Sequence, residues 1–382
     1  MGYLHVEIES SQTPKYKGAP CGDMFEVHRM AGSTLIILSD GLGSGIKANI
    51  AATMCIARLK ELIRSGVTLR KAFAAVVDTM NHAARNDLPY AVFTVARILT
   101  QGQAVILNYE MPPAVYISNR SSEVLPRRTY TVEGSVVGES TCELNPREAL
   151  LLVSDGVTQA GLGITHDLGW GIDNVNKFIN SELENHRSVQ DIPYSVHAKA
   201  MQYNRNYPGD DTTAVLAYSR LGSSVNILSG TPKNKETDEK IVNFFLARQG
   251  IKIICGGSTA NVVSRITGKS LVIDESSATN ITPPSFSMNG IDLVTEGAMT
   301  LNQLYNVIDE PRGEMDEDNP VTKLYDLIML ADRVNFYVGT NVNPASMNIK
   351  TTQLGIISRE KIIPLLAGKL EKHGKFVNIK KF

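Results

Sequence analysis

Apolar residues along this chain fall into short runs, and two of them end alike. Thr34-Leu35-Ile36-Ile37-Leu38 leads into Ser39-Asp40-Gly41, and Ala149-Leu150-Leu151-Leu152-Val153 into Ser154-Asp155-Gly156. Runs of this length read as buried strands, so each carboxylate would stand at a strand's end, where packing holds it still. After the first run the period changes. A helix is predicted from the Gly-rich turn after Asp40 to about Arg64, with Ile50, Met54 and Ala57 among its apolar positions and Ile56, Leu59 and Ile63 alongside. Gly66 closes it. Thr68 is placed to cap a second helix, whose apolar stripe is Leu69, Phe73, Val76, Met80 and Ala83. Core packing is the expectation for both. From 91 to about 144 the pattern turns β-rich, with short loops that predict an antiparallel meander. Helical patterns follow over about 173–184 and 193–204.

Past Ser219 the pattern changes again. Four apolar strands each run into a polar loop: 225–228 into Ser229-Gly230-Thr231-Pro232, 251–255 into Gly256-Gly257-Ser258-Thr259, 291–294 into Thr295-Glu296-Gly297, and 335–338 into Gly339-Thr340-Asn341-Val342-Asn343-Pro344. Helical patterns follow the first three, the first over about 237–248. Strand, loop and helix in alternation predict a mostly parallel α/β domain with right-handed crossovers. Loops after such strands gather at one edge, where ligands bind. The division expected is therefore 1–221 and 222–382.

Composition narrows the classes. The chain has 382 residues, enough for two ordinary domains, and 38 basic against 39 acidic side chains give a formal net charge of −1. Such a balance supplies no global field to draw in nucleic acid or an anionic membrane, so neither is expected as a partner. The longest apolar runs are strand-sized, and the N-terminal residues lack a signal peptide's basic and apolar regions. Cys21, Cys55, Cys142 and Cys255 show no paired spacing, as free thiols in a reducing compartment would. The expectation is a soluble cytoplasmic protein.

Asp-Gly by itself is a turn dipeptide, and any one of these sites alone reads as a turn. The chemistry lies in their conjunction. Gly22-Asp23 stands upstream, and Gly209-Asp210-Asp211-Thr212-Thr213 precedes the apolar Ala214-Val215-Leu216. Acids gathered at strand ends, with little nearby to neutralise them, suit a hard divalent cation. Mg²⁺ and Mn²⁺ take oxygen ligands, and two such ions can clamp a phosphoryl group for attack by water. A metal-dependent phosphatase is the reading. A haloacid-dehalogenase-like nucleophile is set aside, because the second Asp two residues on is Leu42 after Asp40 and Val157 after Asp155.

The ordered set Cys21-Gly22-Asp23, Asp40-Gly41-Leu42-Gly43-Ser44-Gly45 before an Ala-rich helix, Ser154-Asp155-Gly156-Val157 and Gly209-Asp210-Asp211-Thr212-Thr213 resembles the SpoIIE-like bacterial branch of the type 2C metal-dependent protein phosphatases. Weaker matches are Asn108-Tyr109-Glu110-Met111-Pro112-Pro113 and Val137-Gly138, and the resemblance covers about residues 15–220. It implies an α-β-β-α sandwich of two antiparallel sheets with helices on the outer faces, and two Mn²⁺ or Mg²⁺ ions. Carried over residue by residue, Asp40 would bridge both ions, the Gly41 carbonyl would hold one, and Asp155 and Asp210 would ligate the other. Asp211 would hold a metal-bound water or orient the loop, and Asp23 would bond to bound water. The helix pair after Asp40 would pack beside the site and carry regulation. The substrate implied is a seryl or threonyl phosphate on a small regulatory protein, and the family admits a homodimer. Ser44 stands where some relatives carry His, so no general acid is named.

The C-terminal domain falls outside the resemblance. In Gly256-Gly257-Ser258-Thr259 the backbone N–H groups and hydroxyls could hold a small anion, although a plain Gly-Gly turn accounts for that loop alone. A ligand-sensing or partner-docking role is expected for 222–382. Two alternatives stay open: a silent phosphatase fold kept as a scaffold, and a C-terminal enzyme acting on a phosphorylated or nucleotide substrate. The acidic stretch from Asp309 to Asp318 reads as a solvated loop.

Overall fold

The computed structural model describes residues 3–30, 32–207, 209–231, 237–274, 285–315, 319–341 and 356–382, and falls into two compact units, Tyr3–Leu221 and Gly222–Phe382. In the first unit the elements are β1 (Leu4–Thr13), β2 (Asp23–Met30), β3 (Ser33–Gly41), α1 (Ile46–Arg64), α2 (Leu69–Arg85), β4 (Ala91–Leu99), β5 (Gln103–Tyr109), β6 (Val115–Ile117), β7 (Ser122–Val124), β8 (Arg128–Val132), β9 (Ser135–Glu143), β10 (Ala149–Val153), α3 (Asp155–Thr158), α4 (Ile172–Glu184), α5 (Ile192–Tyr203) and β11 (Thr212–Leu221). They build two antiparallel sheets, β1-β11-β10-β6-β7 and β2-β3-β4-β5-β9-β8.

Alternation along the strands shows how the layers stack. Leu150 and Leu152 of β10, with Val215 and Ala217 of β11, join the core that also holds Leu35 to Leu38 of β3 and the inner residues of α1 and α2. Their neighbours Ala149, Leu151, Val153, Ala214 and Leu216 pack outward on α4 and α5 through Val175, Ile179, Val196 and Ala200. Both faces of the sheet are thus buried, which explains why these strands read as continuous apolar runs. The α-β-β-α sandwich is the expected fold.

Three local expectations need correction. The region after 91 is not one meander: β4, β5, β8 and β9 stay in one sheet, while β6 and β7 cross to the other, where β6 pairs with β10. Pro112 and Pro113 precede β6 and lack N–H groups, so the chain cannot continue its ladder there and changes sheet. On α1 the apolar positions Ile50 and Met54 face solvent, 50% and 63% exposed, and Ala57 is exposed as well. The buried face is Ala48, Ala51, Ala52, Cys55, Ile56 and Leu59, because the helix runs too close to β3 for larger side chains at its start. Thr68 occupies the N-cap position of α2, but its hydroxyl makes no capping bond.

The second unit comprises β12 (Ser224–Ser229), α6 (Asp238–Leu246), β13 (Ile251–Cys255), α7 (Gly257–Thr267), β14 (Leu271–Asp274), β15 (Ser285–Met288), β16 (Ile291–Thr295), α8 (Ala298–Val307), α9 (Pro320–Met329), β17 (Arg333–Val338), α10 (Arg359–Lys372) and β18 (Phe376–Lys381). Its sheet order is β14-β15-β16-β13-β12-β17-β18, with β16, β13, β12, β17 and β18 parallel and β14–β15 an added antiparallel edge. The parallel strands read 3-2-1-4-5 in chain order, the doubly wound arrangement. Helices cover both faces: α6 and α7 pack on one through Ile241, Phe245 and Val263, and α8, α9 and α10 on the other through Leu301, Leu324 and Leu366. A part-buried amide ladder crosses three strands in register, with Asn378 Nδ2 donating to Asn335 Oδ1 at 3.0 Å and Asn335 Nδ2 to Asn226 Oδ1 at 3.1 Å. Of the acidic loop, Asp309 pairs with Lys369 at 2.7 Å and His373 at 3.0 Å, and Asp316, Glu317 and Asp318 lie outside the described residues, as do Pro232 and 342–344.

Candidate active site

Strand pairing brings the acids together. Asp23 opens β2 and stands directly opposite Asp40 near the end of β3. Like charges at opposed positions cost stability, so their pairing here needs a compensating reason. The end of β10 is tied to the start of β11: Ser154 N donates to Thr213 O and Thr213 N to Ser154 Oγ, both at 3.0 Å. That tie sets Asp155, which opens α3, beside Asp210 and Asp211, which precede β11.

Glycines permit the approach. A Cβ on Gly41 would lie 1.9 Å from the Ala48 carbonyl oxygen, so α1 can sit against the end of β3 only because Gly41 has none. A Cβ on Gly156 would lie 2.1 Å from the Asp211 carbonyl oxygen, closing the contact between α3 and the loop before β11.

Asp23 is fully buried, and Thr213 Oγ1 donates to its Oδ2 at 2.6 Å while Oδ1 has no partner. Burial pushes the Asp23 carboxyl up to about 7, opposed by its hydrogen bonds from Thr213 and Ser154. Burial, with the charges of Asp23 and Asp155, pushes Asp40 up to about 10, and Asp40 shares a hydrogen bond with Asp155. Burial also raises Asp155, whose Oδ2 accepts from Gln159 Nε2 at 2.8 Å. Asp210 is about one-third exposed, with its side chain at 34%, and it accepts the Asp211 N–H at 2.9 Å. Asp211 is buried and accepts the Lys15 backbone N–H at 2.9 Å, which orients the loop after β1.

Lys15 is the residue that sequence reasoning missed. Its ammonium lies 3.6 Å from Asp210 Oδ1 and helps hold the Asp155 pKa down. One lysine in Thr13-Pro14-Lys15-Tyr16-Lys17 carries no motif. Only the pairing of β1 with β11, Thr13 opposite Thr212, puts it at the acids. Thr213 was read only as part of a motif, and its bond to Asp23 likewise follows from the fold.

The donor set suits a hard cation: it is all oxygen, its negative charge is poorly balanced, and one buried carboxylate oxygen is orphaned. Among the described residues no three His, Cys, Asp or Glu side chains already converge in a ligating arrangement. The carboxylates are neighbours that an ion would draw together.

Gly256 to Thr259 belong to the second unit. Gly256 N donates to Thr295 O at 2.8 Å, and buried Thr259 Oγ1 accepts from Gly230 N at 2.9 Å. Two of the groups expected to face an anion therefore tie neighbouring loops together.

The sequence model of "Stage II sporulation protein E (SpoIIE)" matches residues 30–220. No curated protein sequence matches the chain. Similar solved structures include the PP2C phosphatase domain with a fragment of the regulatory domain of SpoIIE from Bacillus subtilis, at 16% identity and TM-score 0.49, covering 58% of this chain and 64% of that one. The RsbU and RsbW domains of a Mycobacterium tuberculosis protein match at 16% identity and TM-score 0.48, covering 64% and 69%. The SiaA-PP2C domain of Pseudomonas aeruginosa matches at 16% identity and TM-score 0.44, covering 55% and 85%. The chain thus spans less than two thirds of the Bacillus subtilis structure. Among the described residues no helix is long and apolar enough to cross a membrane.

Proposed function

The chain belongs to the SpoIIE family, and from that premise we propose that its first unit is a metal-dependent protein serine/threonine phosphatase. The observation that carries the reading is the charge imbalance at Asp23, Asp40, Asp155, Asp210 and Asp211, which Lys15 offsets only in part. Buried carboxylates as close as Asp23, Asp40 and Asp155 ionise together only when a cation joins them.

Asp40, the Gly41 carbonyl, Asp155 and Asp210 would hold two Mn²⁺ or Mg²⁺ ions. When bound, the ions supply the positive charge that activates water and neutralises phosphoryl oxygens. The rest falls to the chain's own residues. Thr213 fixes Asp23 so that its free Oδ1 can accept a proton-bearing water. Asp211 holds the loop that carries Lys15. Lys15 turns from Asp210 to an oxygen of the incoming phosphate once Asp210 is otherwise engaged. The substrate class is phosphoserine or phosphothreonine on a small regulatory protein, met in the cytoplasm. The second unit would sense a ligand or dock a partner.

The test is hydrolysis of a phosphoserine peptide and of p-nitrophenyl phosphate with and without Mn²⁺. Turnover should require the metal and vanish in Asp40→Asn and Asp155→Asn while the fold persists. Metal-dependent turnover surviving in either folded variant rules out the assignment.

A further inference from the structure

We propose that the second unit binds the phosphate group of a small phosphorylated ligand at the carboxyl ends of β12 and β17, with Arg359 as the residue that takes the anion.

Topology selects the place. The chain lays β12, β13 and β16 in one direction and then returns to set β17 on the other side of β12. The connection after β12 leads to α6 on one face, and the connection after β17 leads to α10 on the opposite face. In open α/β sheets this reversal opens a crevice outside the strand ends, and ligands bind there. Here the two strand ends are joined by Gly339 N donating to Ser229 O and Asn341 N to Thr231 O, both at 3.0 Å.

Arg359 occupies that place. Its Nη2 donates to Gly339 O at 2.9 Å and to Asn341 O at 2.8 Å. A Cβ on Gly230 would lie 2.3 Å from the Arg359 Cζ and Nη1, so the guanidinium covers the space that a side chain there would fill. Its Nε is buried without a partner, and among the described residues no carboxylate forms an ion pair with it. Arg265 and Arg312 in the same unit each have one, Asp238 and Asp326, both at 2.8 Å. Burial lowers the Arg359 pKa, and the charge of neighbouring Glu360, which makes no ion pair with it, opposes that only in part. A guanidinium stays protonated regardless, and its planar fork matches the oxygens of a phosphate. An anion at this point would supply the ion pair that the described residues do not. The start of α7, where the sequence places a candidate anion loop, then has a supporting part, since Thr259 holds Gly230 in position. The proposal stands independently of the phosphatase reading.

Isothermal titration of the full chain with inorganic phosphate and with pyrophosphate, in chelator and at fixed chloride, tests it. Chelation leaves the catalytic carboxylates bare, so they repel the probe. The wild type should bind, and Arg359→Gln should bind about tenfold or more weakly, the scale of one charge-assisted contact. Arg359→Lys keeps the charge without the fork and should fall between them; it carries the test if Arg359→Gln does not fold. Lys15→Ala should bind as the wild type does. Absence of binding by the wild type overturns the proposal. So does equal affinity in wild type and folded Arg359 variants, or loss of binding in Lys15→Ala, which would put the anion at the other unit's site.

Discussion

Asp40→Asn should stabilise the metal-free protein even as it removes the activity proposed for it. The Asp40 carboxyl moves from an ordinary value of 3.8 to about 10 in the fold. Below pH ~4 the folded and unfolded states are both protonated and the group contributes no difference. As pH rises towards 10 the unfolded carboxyl ionises freely while the folded one cannot, so stability falls by up to ~1.4 kcal/mol per pH unit. At pH 7.5 that amounts to about 5 kcal/mol at most. Asp23 and Asp155 share the penalty, so about 2–3 kcal/mol is the reasonable share of Asp40. Asparagine keeps the shape, can donate to Asp155, and carries no charge. Trp170, the only tryptophan, is 2% exposed in the core beside α4 and α5, so its fluorescence reports unfolding of the first unit. With about 2–4 °C per kcal/mol for a unit of this size, the variant should melt roughly 5–10 °C above wild type in chelator at pH 7.5. The gap should narrow towards pH 5. Mn²⁺ should raise the wild type and not the variant, reversing the order. A variant that melts below wild type in chelator, or a gap that ignores pH between 5 and 8.5, would refute the argument.

Other expectations follow from the same geometry. Gly156→Ala forces a methyl against the Asp211 carbonyl and should cost about 1–3 kcal/mol by thermal melting, with weaker Mn²⁺ binding by titration because Asp155 and Asp210 are pushed apart. Thr213→Val removes the 2.6 Å hydrogen bond to Oδ2 of buried Asp23, leaving Ser154 to support that carboxyl, and should cost about 1–3 kcal/mol. That loss should be larger at pH 8 than at pH 5, since the Asp23 pKa, already about 7, rises further. Lys15→Ala removes an ion pair that is about one-third exposed and should change stability by less than ~1 kcal/mol. It should raise KM for a phosphopeptide about tenfold and weaken inhibition by phosphate alike; unchanged KM would show that Lys15 serves only the loop.

The sequence alone determined what depends on near neighbours. Apolar runs ending on Ser-Asp-Gly placed Asp40 and Asp155 at strand ends, and the strand–loop–helix alternation after Ser219 gave a parallel sheet, because side-chain period and turn chemistry are set within a few residues. The fold decided what depends on distant partners. Pairing of β1 with β11 delivered Lys15, and pairing of β6 with β10 split the expected meander. The close seat of α1 on Gly41 turned its alanines inward and left Ile50 and Met54 outside, against the rank of hydrophobicity. In the second unit the strands were legible, but the return of β17 to the side of β12, and the guanidinium of Arg359 that stands there with no ion pair among the described residues, were not. A periodicity states that a residue has a buried side. Which strand, helix or charge lies against that side is fixed by hydrogen bonds and contacts that no local window contains.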